Sequence, residues 1–164
     1  MFLLLCVGTF YTSFCSSYIL DSYRDKVYLD GKPCADHSCE DEINSLNANC
    51  YKATCYATTR LLVKALKLKE GSYSTCFQSR LGRDPWLQPY TDHTVEKLGK
   101  EGKKRVLVFS PAFVADCLET TIEIGEEYLE LFQEHGGEEI QLVPSLNDND
   151  DWAEGLHKII KDKL

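Results

Sequence analysis

The segment that most restricts how this chain can fold is Arg105-Val-Leu-Val-Phe-Ser110, in which apolar residues follow one another without a break between Gly102 and Pro111. A strand with one wet face alternates apolar and polar side chains, so an unbroken run belongs to a strand buried on both faces, as in parallel sheets covered by helices. The flanking sequence supplies the covers. Ala57, Leu61, Leu62, Ala65, Leu66 and Leu68 recur at helical spacing over residues 51–68, with Gly71 beyond as a stop. A short β-prone run covers 73–78, and a helix capped by Thr91 or Asp92 reaches about Gly99. Leu118, Ile122, Leu129 and Phe132 mark a long helix over 118–135 that Gly136-Gly137 ends. A strand over 139–144 and a terminal helix over 150–164 follow. Helices and strands in alternation predict an α/β lobe with a mainly parallel sheet. Ligands of such sheets lie at the carboxyl ends of the strands, which here means the loops after Gln78, Ser110 and Leu146.

The chain has 164 residues, enough for one cored domain, and a net charge of −8. That acidity argues against nucleic acid, whose phosphates require clustered Lys and Arg. Residues 1–20 carry no charged side chain. Three readings fit them: a buried strand with its flanks, a membrane or signal segment, or a non-native extension; Thr9, Thr12, Ser13, Ser16 and Ser17, and the lack of a basic start, favour the first. The chain is therefore divided into a hydrophobic N-terminal segment (1–24), a cysteine-rich loop or insertion (25–50) and an α/β lobe (51–164). Its eight cysteines occur in a chain too long and too helical for a disulfide scaffold, which suggests a reducing compartment. No glycine-rich phosphate fingerprint and no Ser-His-Asp arrangement is visible.

Three constellations carry chemistry. Glu119, Glu123 and Glu127 recur every four residues just beyond the buried strand, so in a helix they form one ridge. Like charges at that spacing repel, and either solvent or a hard divalent cation relieves them. Cys34-x4-Cys39-x10-Cys50-x4-Cys55 sets four thiols in a loop running into a helix. They suit a zinc ion or a two-iron two-sulfur cluster, with His37 as a further ligand, or remain free thiols; the spacing matches no standard pattern. Arg80, Arg83 and Trp86 form a loop suited to a flat acidic ligand, or to packing alone.

Phe77-Gln-Ser-Arg-Leu-Gly-Arg-Asp-Pro-Trp, Pro111-Ala-Phe-Val-Ala-Asp-Cys-Leu-Glu-Thr and Ser145-Leu-Asn resemble, in order, the C-terminal lobe of the ferrochelatase family; Cys55-Tyr-Ala-Thr-Thr-Arg resembles that lobe's helix start. The resemblance implies a fold of two Rossmann-like, three-layer lobes around a porphyrin cleft, of which this chain supplies one. It implies insertion of ferrous iron, as substrate, into protoporphyrin IX to give protoheme. Glu119 matches the family's active-site glutamate, Glu123 and Glu127 its acidic metal or proton path, and Arg80 and Trp86 its porphyrin-binding loop. The cysteines resemble the ligands of a cluster carried by some members. A complementary N-terminal lobe or homo-oligomer, a cytoplasmic location and peripheral membrane contact are further implications. One departure stands out: the family's active-site histidine is absent, and Cys15 in Ser13-Phe-Cys-Ser is its nearest counterpart. A catalytically impaired porphyrin- or iron-binding remnant and a small iron–sulfur or zinc protein are the alternative expectations.

Overall fold

A computed structural model describes residues 1–8, 39–45, 47, 48, 50–78 and 88–163. Four parallel strands form one sheet: β1 (Phe2–Gly8), β2 (Tyr73–Gln78), β3 (Arg105–Phe109) and β4 (Glu139–Leu142), in the order β2-β1-β3-β4. The apolar start of the chain is thus a strand, as its composition suggests, and it takes an inner position between β2 and β3. Cys15 and the remainder of 9–38 lie outside the described residues.

Helices separate the strands. α1 (Tyr51–Leu66) precedes β2, α2 (Thr91–Lys100) joins β2 to β3, a π-helical segment (Glu119–Glu127) runs into α3 (Tyr128–Glu134) before β4, and α4 (Asp150–Lys161) ends the described chain. β4 and α4 end earlier than expected, at Leu142 and Lys161, and two further boundaries differ for a visible reason. α1 stops at Leu66 because Lys67 turns left-handed (φ 52°, ψ 42°), while the N–H groups of Lys67 and Leu68 close onto the carbonyls of Lys64 and Val63. α2 begins at Thr91 after an N-cap at Tyr90 with no side-chain cap; the Thr91 hydroxyl is buried and donates to Cys76 Sγ at 3.3 Å instead.

Alternation along each strand sorts side chains onto two faces. Phe2, Leu4, Cys76, Val106, Val108 and Ile140 point to one face and meet Val95 and Leu98 of α2 and Ile124, Tyr128 and Phe132 of the π/α3 helix. Phe77 points to the other and meets Cys55 of α1, flanked by Tyr51 and Tyr56, while Thr59 and Thr75 share a buried hydroxyl bond of 3.1 Å. Helices on both sides of a parallel sheet make the predicted three layers. The chain runs from β1 outward to β2 and then returns to the far side of β1 for β3, so the order reverses at the carboxyl ends of β1 and β3. Such a reversal opens a crevice where α/β sheets hold ligands.

Candidate active site at the carboxyl edge of the sheet

Beyond β3 the chain leaves the sheet at Ser110, whose buried hydroxyl has no hydrogen-bond partner among the described residues. A clasp shapes the next turn: Asp116 accepts from the Ser145 N–H (3.1 Å) and from Asn147 Nδ2 (2.8 Å), and the Asp116 N–H donates back to Asn147 Oδ1 (2.9 Å). Asn147 sits at φ 48°, a left-handed conformation that Asn tolerates better than most residues, and its own N–H bonds the Val114 carbonyl at 2.8 Å. These bonds hold the Asp116 carboxyl below its ordinary range, Asn147 contributing most. The loops after β3 and β4 are thereby joined at the edge where sequence places a site.

The acidic helix follows. Thr120 and Thr121 turn their hydroxyls back onto the Cys117 carbonyl at 3.0 and 2.9 Å, which anchors its first turn. Glu119–Glu127 is π-helical, where an ordinary α-helix is the expectation from spacing; the Tyr128 N–H reaches five residues back to the Glu123 carbonyl. A donor from another element accompanies the change. Gln78 Nε2, at the end of β2 and 2 % exposed, bonds the Glu119 carbonyl at 2.6 Å and Glu123 Oε2 at 2.8 Å. A side chain inserted into the helical ladder is a recognised cause of local distortion.

The three ridge carboxylates occupy different environments. Glu119 is exposed, and its carboxyl is held below the ordinary range first by its own backbone N–H and then by the Cys117 side chain. Glu123 is half-buried and bonded at both oxygens, since the Tyr128 hydroxyl donates to Oε1 at 2.6 Å. Glu127 is exposed, on the last residue of the π segment. Among the described residues, no three His, Cys, Asp or Glu side chains converge closely enough to hold a metal ion. The carboxylates therefore form a row along the helix.

Gln78 and Tyr128 have no counterpart among the residues singled out from sequence. Gln78 stands inside the Phe77-Gln-Ser motif, and Tyr128 lies within the 118–135 helix but outside the apolar positions that mark it; only folding brings either to Glu123. Arg80 and Trp86 lie outside the described residues. Of the cysteines, Cys34 is also outside them, while Cys39, Cys50 and Cys55 are buried near the start of α1. Cys39 Sγ and Cys50 Sγ stand 3.8 Å apart. Burial pushes the Cys55 thiol up to about 12, Tyr51 opposing weakly and Cys50 adding to the rise.

The sequence profile of the ferrochelatases matches residues 34–164. The chain belongs to the ferrochelatase family. A ferrochelatase of Pseudomonas fluorescens is 46% identical over 131 residues, which cover 80% of this chain and 38% of that protein. The ferrochelatase of Bdellovibrio bacteriovorus is 48% identical over 123 residues, covering 75% and 37%. The chain thus spans about two fifths of the length of the curated relatives it matches. Within the family match lie the whole acidic ridge, the Asp116–Asn147 clasp, Gln78 and all four cysteines of the loop, whereas β1 precedes it. Among the described residues no helix is long and apolar enough to cross a membrane.

Proposed function

We propose that this chain provides the metal-handling lobe of a ferrochelatase, inserting ferrous iron into protoporphyrin IX to form protoheme. The supporting observation is the row that Glu119 opens at the carboxyl edge of the sheet, with Glu119 exposed and ionised and Glu123 immobilised behind it. Insertion replaces two pyrrole protons by one Fe²⁺: two nitrogen–hydrogen bonds break, two protons leave, and iron bonds all four ring nitrogens. A carboxylate held below its usual range is a poor resting place for a proton and a good oxygen ligand for a hard cation. Glu119 accordingly steadies the incoming iron and hands pyrrole protons onward, with Glu127 as the exposed far end of the path. In this reading Arg80 pairs with a porphyrin propionate and Trp86 stacks on the macrocycle. A complementary lobe or second copy closes the cleft, and the assembly works in the cytoplasm or against a membrane face.

The test is anaerobic incubation of the protein with protoporphyrin IX and ferrous iron, following the change from porphyrin to metalloporphyrin absorbance. Conversion that Glu119→Gln lowers by roughly 100-fold or more is expected, the size of effect seen when a charge-stabilising group is lost. A spectral shift without conversion marks a porphyrin-binding remnant, and conversion indifferent to Glu119→Gln removes Glu119 from the chemistry.

The thiols support one addition, a two-iron two-sulfur cluster on Cys34, Cys39, Cys50 and Cys55. Two sulfurs on one tetrahedral metal with bonds of about 2.3 Å stand about 3.8 Å apart, and Cys39 and Cys50 have that separation. Such a cluster would tie the loop to α1 and supply no step of the insertion. A bound metal ion deprotonates a thiol outright, so the high value of Cys55 is no obstacle to ligation. Anaerobically purified protein should contain iron and acid-labile sulfide that Cys50→Ser removes; colourless, iron-free protein would leave the thiols structural.

A further inference from the structure

We infer that Gln78 is a positioning residue of the acidic ridge: one amide nitrogen grips the backbone of Glu119 and the carboxylate of Glu123 together, and so fixes the direction in which Glu119 faces the crevice. The inference deepens the chelatase reading and rests on it for its kinetic arm alone.

A glutamine amide nitrogen carries two hydrogens, and here they account for the bonds of 2.6 Å to the Glu119 carbonyl and 2.8 Å to Glu123 Oε2. Donation to an ionised carboxylate is the stronger kind of hydrogen bond, and burial of Gln78 shields it from water. Gln78 is also the last residue of β2, so its backbone is fixed by the ladder to β1, where it pairs with Gly8. The grip therefore refers the ridge to the sheet rather than to a loop. Tyr128 completes the hold on Glu123 from the first residue of α3, at 2.6 Å. Glu123 cannot swing toward a ligand without breaking two bonds, whereas Glu119, whose carbonyl alone is gripped, keeps its carboxylate exposed.

The same nitrogen bears on helix register. In the five-back register the Glu119 carbonyl takes the N–H of Ile124, and the nearer N–H of Glu123 is its competitor in an α-helix. Gln78 occupies one lone pair of that carbonyl while drawing the Glu123 side chain toward β2, which opposes tightening of the turn. Few replacements reproduce this. Asparagine falls one methylene short, ionised glutamate has no donor, and leucine keeps the bulk with no polar atom.

The experiment compares wild type with Gln78→Leu, Gln78→Glu and Tyr128→Phe in the full chain. In isotope-labelled protein, through-hydrogen-bond NMR couplings identify the amide that partners the Glu119 carbonyl. Ile124 is expected in wild type and Tyr128→Phe, and Glu123 in both Gln78 variants. In the iron-insertion assay the Gln78 variants should lose about 10- to 100-fold in kcat, the range expected when a reacting group is displaced by about 1 Å, with porphyrin KM within about 2-fold. Tyr128→Phe should lose less. A Gln78→Leu or Gln78→Glu protein that keeps both the Ile124 coupling and kcat overturns the inference, and so does a KM rise at unchanged kcat. If Gln78→Leu fails to fold, the other two variants decide it by the same readouts. If wild type turns over no porphyrin, the chelatase reading falls and the NMR couplings alone decide the role of Gln78.

Discussion

The two faces of the sheet are built differently. On one, side chains from all four strands interlock with α2 and the π/α3 helix, and Leu4, Val95, Val106, Val108, Ile124 and Phe132 lie fully or almost fully buried. On the other, among the described residues, Phe77 and Cys55 form a smaller cluster, Leu107 and Phe109 are only half-buried, and α1 leaves Leu61 70 % and Leu66 58 % exposed. The acidic helix belongs to the dense side. A row of charges that must keep its geometry is mounted on the better-packed face, where Ile124 and Phe132 clamp the same helix that carries Glu119 and Glu123 outward. Packing at that density moves as a unit, so the ridge takes its rigidity from the core beneath it.

The largest effect should separate the faces directly. Phe132→Ala removes a fully buried ring from the dense cluster and should cost about 3–5 kcal/mol in urea unfolding, while Phe77→Ala, which removes an almost fully buried ring from the smaller cluster of the other face, should fall toward the lower end of that range. Equal losses would show the second face to be as much a core as the first. The next effect reads the second face by pH. Because burial raises the Cys55 thiol to about 12 from near 9, the folded state of the metal-free protein holds a proton that the unfolded state releases across that interval. Stability should therefore fall as pH rises from about 9 toward 12, by up to about 4 kcal/mol. Cys55→Ala should flatten that part of the curve relative to wild type; an unchanged slope would place its cause in another group.

Gly137 tests the tightness of the dense face at its margin. A Cβ there would overlap the Phe132 ring, which has no free space to retreat into, so Gly137→Ala should destabilise by about 1–3 kcal/mol. Gly125, inside the π segment, is the contrast: its Cβ would meet only the Thr120 carbonyl oxygen, at 3.7 Å. Gly125→Ala should be neutral or stabilising by up to about 1 kcal/mol, from the lost backbone freedom of glycine in the unfolded chain. Thermal melts of the two variants side by side would show whether the helix is crowded at its end and open in its middle.

Much of this was legible in the residues. Continuous apolar runs announced β3 and the strand at the start of the chain, although burial along β3 does alternate, with Val106 and Val108 buried and Leu107 and Phe109 half-buried. The acidic ridge was legible as spacing, and Gly136-Gly137 as its helix's end. The π register was not, since its accompaniment is a hydrogen bond from Gln78 that crosses 41 residues of sequence and leaves no periodic trace. Thr91 misled as a cap because the hydroxyl that would bond its own helix is claimed by Cys76 across the core. Tyr128 was hidden because the apolar side of its helix was read through Leu118 and Ile122, which are exposed, whereas Ile124, Tyr128 and Phe132 face the core and the Tyr128 hydroxyl serves Glu123. Polar groups that act across the fold are the ones that local pattern cannot assign.

The smallest expected effect bears on what the open face is. If α1 lies against solvent along Leu61, replacing that residue by lysine removes no buried area, and stability should move by no more than about 0.5 kcal/mol. Helix propensities of leucine and lysine are close, so the backbone adds little. A loss that grows with protein concentration would mean that Leu61 is covered in solution by another copy. The exposed stripe of Leu61 and Leu66 on α1 would then belong to the isolated chain and be covered on assembly. Sedimentation velocity of wild type and Leu61→Lys at matched concentrations separates these cases, because only the second predicts a shift in mass that the substitution abolishes.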